Sequence, residues 1–397
     1  MSLILNPLPP VRLRQYKPKC AVKNMINLKL SFILICVTSV VMGQKIDKSK
    51  LDNTISNYYK DQRAPGVACE ISQNGQTLYR YAIGQADLKE GRAITADTHF
   101  RMASVSKQVT AQAIYTLVIQ KRLKLDDRLS HFFEDLPVAL RSITIEQLLQ
   151  HTSGIWDYEE LIPNDRKDQV SDRDVLNYVK QTDRLYFPSG SQFRYSNTGY
   201  CLLSLIVEQA AKQSFASFVK RHLFEPTGIA GGMVYEPTST IVDRAYGYHP
   251  AAGDYRFADQ SVTSATQGDG GVYFSADEYH KWANFLIKDR LQQATMQQLL
   301  SQKAIPVKDE ISYHLGWFIS KSAENMTLFH SGESTGFHNV VYIDMQKGLV
   351  ISLFSNRDDF MIGEAFDAIL KTVGIRNPVV RGPQQTTFAW LNAVYAN

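Results

Sequence analysis

The chain has 397 residues, 44% of them hydrophobic and 21% charged, with 23 glycines and 14 prolines. That balance excludes a disordered, collagen-like or multi-pass membrane protein, and it leaves a globular chain long enough to bury a sizeable core. The formal charge of +4 comes from the start of the chain. Residues 1–43 carry Arg12, Arg14, Lys17, Lys19, Lys23 and Lys29 and no acid; without them 37 basic residues face 39 acidic ones. Nothing in the body of the chain argues for a nucleic-acid partner.

Residues 30–42 are charge-free and mostly apolar, follow Lys29 and end in Val41-Met42-Gly43. A run of 13 is too short for the roughly 20 residues that span a bilayer. Residues 1–43 therefore read as a signal peptide, with Met25 as an alternative start. Cleavage near Gln44 gives an exported protein, periplasmic or secreted, with no stable membrane span after processing. Cys20 and Cys36 leave with that segment. Cys69 and Cys201 sit in apolar stretches and read as small buried hydrophobes. There is no H-E-x-x-H, no C-x-x-C and no histidine pair at ligand spacing, so no metal or cofactor is implied.

Ile46, Leu51, Ile55, Tyr58 and Tyr59 fall at helical spacing and predict an amphipathic helix over 46–61. Two β-rich runs follow, 66–72 and 77–83, joined by Asn74-Gly75, a turn pair that tolerates φ > 0. Helical patterns cover 104–121, 145–151, 172–181, 198–211 and 214–224. Strand patterns return at 313–320, 326–330, 338–344 and 349–355, the last two joined by a hairpin at Met345-Gln-Lys-Gly348; 360–373 closes as a helix. In the tail, Phe388, Leu391 and Val394 lie three apart, a short helix without an evident role. Strands at both ends of the chain most simply meet in one antiparallel sheet. The expected fold is α+β. A sheet lobe (44–100 and 255–375) faces a mostly helical lobe (101–254), with the site in the cleft between them and 376–397 as a tail.

Three stretches carry the chemistry. Ser104 and Lys107, at i and i+3 in the first turn of a helix, project from one face. A desolvated lysine there can take the proton of a serine nucleophile, and helix N-terminal N–H groups can bind an oxyanion. Tyr195 stands just before the 198–211 helix, where a phenol can relay a proton. Asn197 can cap that helix or offer its amide to a substrate carbonyl. His330-Ser331-Gly332-Glu333 lies between predicted strands, where Gly332 lets a bound backbone approach the strand edge.

Taken in order, Ser104…Lys107, Tyr195…Asn197 and His330…Gly332 resemble the Ser-x-x-Lys, Tyr-x-Asn and Lys/His-x-Gly motifs of the serine β-lactamase and penicillin-binding superfamily. The likeness is nearest to the branch of class C β-lactamases, DD-peptidases and esterases. Leu148-Leu-Gln-His151-Thr-Ser-Gly154 and Gly268-Asp-Gly-Gly271 match too, and the likeness covers roughly residues 47–373. It implies the β-lactamase/DD-peptidase-like fold and an acyl-enzyme at Ser104. Lys107 and Tyr195 would activate the serine and protonate the leaving group. Asn197 would contact the substrate amide, and the N–H groups of Ser104 and Glu333 would stabilise the oxyanion. Where class C β-lactamases usually carry a lysine, this chain has His330, expected to act as a pH-dependent cation toward a substrate carboxylate.

The resulting expectation is a serine hydrolase acting on an amide or ester: a D-amino-acid peptide, a small ester or, weakly, a β-lactam. Two alternatives remain. The first is a slow penicillin-binding or sensor module of the same fold. The second is an α/β-hydrolase elbow at Gly332-Glu-Ser334-Thr-Gly336, disfavoured because a strand pattern follows where that elbow needs a helix.

Overall fold

The computed structural model describes residues 46–288, 300, 303–322, 325–379 and 385–396. The proposed leader lies outside them, with Cys20 and Cys36. An amphipathic first helix, α1 (Lys48–Ser56), is capped by Asp47, whose carboxylate accepts the N–H of Lys50. It leads into the hairpin β1 (Val67–Gln73) and β2 (Gln76–Ile83), turning at Asn74 and Gly75, both at positive φ. A long excursion then holds α2 (Lys107–Ile119), α3 (Asn197–Ala211) and α4 (Ala276–Lys288). The chain returns as β3 (Ile305–Lys308), β4 (Ile311–His314), β5 (Trp317–Lys321), β6 (Met326–Ser334), β7 (Phe337–Asp344) and β8 (Leu349–Ser355). Two helices close it, α5 (Met361–Thr372) and α6 (Thr387–Tyr395).

The eight strands form one antiparallel sheet in the order β3-β4-β5-β6-β7-β8-β1-β2. N-terminal and C-terminal strands meet at the β8–β1 pairing, as expected. Period-2 alternation divides the side chains between two layers. Val67, Cys69, Ile71, Val340, Tyr342, Leu349 and Ile351 pack under α1, α5 and α6. Ala68, Val341, Ile343, Val350 and Phe354 face α4 and the helical excursion. Because helices cover both faces, β7 and β8 are buried along their whole length and read as continuous apolar runs.

Three features differ from the sequence reading. The pattern at 313–320 is not one strand: it breaks at Leu315 and Gly316, φ 52 and 78, into β4 and β5. Gly316 is needed there, since a Cβ would lie 2.7 Å from the Gln108 nitrogen at the start of α2. The third motif does not lie between strands but forms the second half of β6. Finally, α4 went unread; its Tyr279, Trp282, Ala283 and Leu286 belong to the core, and His280 bridges Ser72 (2.6 Å) and Ser352 (3.0 Å) on the sheet. Cys69 and Cys201 are free and buried. Among the described residues no helix is long and apolar enough to cross a membrane.

Candidate active site

The first motif lies in a 3₁₀ turn, Ala103–Ser106, that runs directly into α2. Ala103 enters it at φ 49, a left-handed conformation that costs a non-glycine residue about 1–2 kcal/mol. Neighbours on both sides hold it. The Met102 N–H donates to Val272 O at 2.8 Å, and Asn339 Nδ2 on β7 donates to Arg101 O at 2.9 Å. Gly332 of β6 lies so close that a Cβ would come within 2.1 Å of Met102 O. The backbone Gly332 admits is therefore the chain's own.

Lys107 is fully buried. Its Nζ donates to Ser104 Oγ (3.1 Å), Asn197 Oδ1 (2.7 Å) and Asp269 O (3.0 Å). Burial pushes its pKa below the usual lysine value, while nearby Asp269 pulls in the opposite direction. Tyr195 is 8% exposed; its ring centroid lies 5.0 Å from Lys107 Nζ and its buried hydroxyl lies against Ser104. Burial raises that phenol well above its ordinary pKa. The pair is thus a lysine biased toward neutrality and a phenol fixed in its protonated form.

Asn197 opens α3 but does not cap it. Asp157 does so from a neighbouring loop, accepting the Asn197 N–H at 2.7 Å. The Asn197 side chain spans the site, Oδ1 on Lys107 and Nδ2 donating to Glu159 Oε1 at 3.0 Å.

His330 departs furthest from expectation. It is fully buried and its Nδ1–H donates to Ser331 O at 2.6 Å. Burial pushes its pKa down to about 3, so it is neutral throughout the range where it was expected to act as a cation. What buries it is the tail. Tyr395 on α6 packs tilted against Tyr195 (4.4 Å between centroids), bonds Ser331 Oγ at 2.8 Å and lies 3.3 Å from His330 Nδ1. Glu333 faces the same pocket, and burial raises its carboxyl to about 7. Beyond β5, the segment 330–334 pairs only with β7, so its other edge borders the cleft. Ser334 and Gly336 form the β6–β7 turn with no helix after it, so the elbow geometry does not occur.

Ser104, Tyr195, Asn197 and Glu333 line a cleft of about 450 Å³, together with Asp157, Glu159, Glu160, Arg194, Asn392 and Tyr395. The Beta-lactamase family model matches residues 51–373 of the chain. The chain belongs to the β-lactamase family. It is, with that family, a serine hydrolase. Penicillin-binding protein 4* of Bacillus subtilis (strain 168) is 28% identical over 307 residues, 72% of this chain and 67% of its own length. The chain spans about two thirds of the length of the curated relatives it matches. Among solved structures, the octameric penicillin-binding protein homologue from Pyrococcus abyssi has a TM-score of 0.71 at 21% identity, covering 86% of this chain and 80% of that one. D-amino acid amidase from Ochrobactrum anthropi SV3 has a TM-score of 0.70 at 21% identity, covering 82% and 98%.

Two residues of this β-lactamase family member escaped the sequence reading. His151, in the quoted Leu148–Gly154 segment, sits at φ 55 and holds the Tyr195 loop. Its carbonyl accepts the Arg194 N–H (2.9 Å) and its Nδ1 the Ser196 N–H (3.2 Å), with its ring 4.3 Å from that of Tyr195. Tyr395 is the other, and it lies beyond the family match. Asp172, Cys201 and Asp269 bring possible metal-ligand atoms within 4.8 Å of one another behind Lys107. They do not make a good metal site: burial holds the Cys201 thiol far from ionisation, and Asp172 already accepts the N–H groups of Gln267 and Gly268.

Proposed function

We propose that the protein is an exported serine hydrolase that passes through an acyl-enzyme at Ser104, acting on a small amide or ester or a short peptide. The observation that carries this is the buried Lys107 Nζ, shifted toward neutrality, 3.1 Å from Ser104 Oγ at the floor of an open cleft. Ser104 Oγ attacks the carbonyl carbon and its proton passes to Lys107. The N–H groups of Ser104 and Glu333 hold the oxyanion. When the tetrahedral intermediate collapses, the bond to the leaving nitrogen or oxygen breaks and the neutral Tyr195 hydroxyl protonates it, drawing its replacement proton from Lys107. Water then attacks the ester by the reverse route. Asn197 acts mainly by fixing Lys107.

Ser104→Ala tests this. Turnover of p-nitrophenyl acetate should fall by on the order of 10⁶-fold, and the mass shift that a fluorophosphonate produces on wild type should vanish. A variant that kept its turnover would move the nucleophile elsewhere. Export is supported by residues 30–42 following Lys29. Exported protein should begin near Gln44; an N-terminus at Met1 or Met25 would overturn that part.

A further inference from the structure

We propose that the C-terminal end of α6 walls the leaving-group side of the cleft, and that Tyr395 and Ala396 thereby restrict turnover to esters and amides with compact leaving groups. The inference rests on the acyl-enzyme reading of Ser104 and adds to it which part of the substrate is limited, and by what. The family match ends at residue 373, so this limit is set by residues outside the shared core.

The cleft has two distinct sides. Asp157 and Glu159 border it beside Asn197, Asp157 accepting the Asn197 N–H and Glu159 accepting its side-chain amide. Asn392, Tyr395 and Ala396 border it beside Tyr195 and Glu333. The Tyr395 ring centroid lies 4.4 Å from that of Tyr195, and the Asn392 side chain bonds the Glu333 carboxyl. The chemistry assigns a role to each side. The leaving atom must come within hydrogen-bond reach of the Tyr195 hydroxyl that protonates it. Whatever is attached to that atom therefore runs past Tyr195 toward the tail, and the Asn197 side is left to the acyl group.

This wall is anchored at both its tip and its base. At the tip, the Tyr395 hydroxyl bonds Ser331 Oγ at 2.8 Å, and its ring stacks on His330 with centroids 5.9 Å apart. Phe318 on β5 backs the same ring at 6.0 Å. At the base, Thr387 Oγ1 donates to Asp367 on α5 at 2.7 Å and Trp390 Nε1 donates to Asp309 at 3.1 Å. Phe388 and Leu391 between them are buried against the sheet. A bulky leaving group can displace such a wall only by breaking these contacts. The whole cleft is about 450 Å³, in the lower part of the roughly 300–1,000 Å³ usual for ligand sites. Compact leaving groups, a simple alcohol or amine, fit without that cost.

The test varies the two sides of the substrate separately. p-Nitrophenyl acetate and 4-methylumbelliferyl acetate give the same acetyl-enzyme and differ only in the leaving phenol; p-nitrophenyl butyrate changes only the acyl group. In wild type, kcat/KM should favour p-nitrophenyl over 4-methylumbelliferyl acetate by at least about tenfold. Tyr395→Ala should shrink that ratio severalfold while keeping the butyrate-to-acetate ratio within about twofold of wild type. Tyr395→Phe retains the ring and should retain both ratios. Ala396 is exposed, so Ala396→Trp thickens the wall without burdening the core, and it should enlarge the leaving-group ratio. If Tyr395→Ala does not fold, the Ala396→Trp ratio decides alone. A leaving-group ratio unmoved by these variants overturns the inference, as does a Tyr395→Ala effect confined to the acyl side. Either result, with turnover still dependent on Ser104, leaves the acyl-enzyme reading intact. Turnover that persists in Ser104→Ala would overturn that reading instead.

Discussion

At the residue scale, His330 shows how far a side chain's surroundings can change its chemistry. In water an imidazole with a pKa of about 6.5 would gain and lose charge across the working range of a hydrolase. Enclosed by Tyr395, Tyr313 and Phe318, this one is held down to about 3. His330→Asn should therefore leave the pH dependence of kcat/KM between pH 5 and 8 unchanged in shape, whatever it does to the absolute rate. A titration step near 6.5 present in wild type and missing from the variant would restore the histidine as a charge selector. Removing the cover should create such a step. Tyr395→Ala exposes His330 to water and should bring its imidazole titration, followed by NMR, up toward 6.5, whereas Tyr395→Phe keeps the ring and should leave it buried and neutral. The phenylalanine variant loses the hydroxyl's hydrogen bonds to Ser331 and His330, each worth about 1 kcal/mol.

At the scale of elements, the nucleophile's turn is clamped between two pieces of the sheet. Gly332 on β6 lies against Met102 O, and Gly316 in the β4–β5 turn lies against the backbone of Lys107 and Gln108. Gly316 is at φ 78, so Gly316→Ala adds both backbone strain and a Cβ 2.7 Å from a backbone nitrogen that cannot swing aside. We expect a loss of about 2–4 kcal/mol in chemical denaturation, with kcat falling more than KM rises, because Lys107 is displaced from Ser104. Full activity in this variant would show that the turn does not depend on the hairpin. Helix α6 is the other decisive element. It packs Phe388, Trp390 and Leu391 on the sheet and delivers Asn392 and Tyr395 to the cleft. The spacing of Phe388, Leu391 and Val394 made the helix legible; its partner face was not.

At the scale of the whole molecule, buried ionisable groups set opposite pH slopes. His280, His314 and His330 are each held down to about 3, so they favour the fold above pH 6.5 and weaken it as pH falls from there toward 3. Glu159, Asp172 and Glu333 are each pushed up to about 7, so they favour the fold at low pH and weaken it as pH rises through 7. The two sets oppose one another between about pH 4.5 and 6.5. Below that the carboxyls are protonated in both states, while Glu278, held at about 2 with His99 as partner, joins the histidines. Tm should thus be nearly level from about pH 6.5 to 4.5 and drop steeply below 4; a steady decline from pH 7 to 5 would contradict these assignments. Much of the molecule was legible without coordinates. Alternating apolar residues placed most of the strands, Asn74-Gly75 and Met345–Gly348 placed two hairpins, and three short motifs at their spacing marked Ser104, Lys107, Tyr195 and Asn197. These are local patterns, and local patterns need only the chain's own geometry. The tertiary structure alone decided which groups stay charged, what caps α3, where 313–320 breaks and that the tail walls the cleft. Each depends on atoms brought from distant parts of the chain, Tyr395 onto His330 and Gly316 onto Lys107, and on the desolvation that such contacts impose.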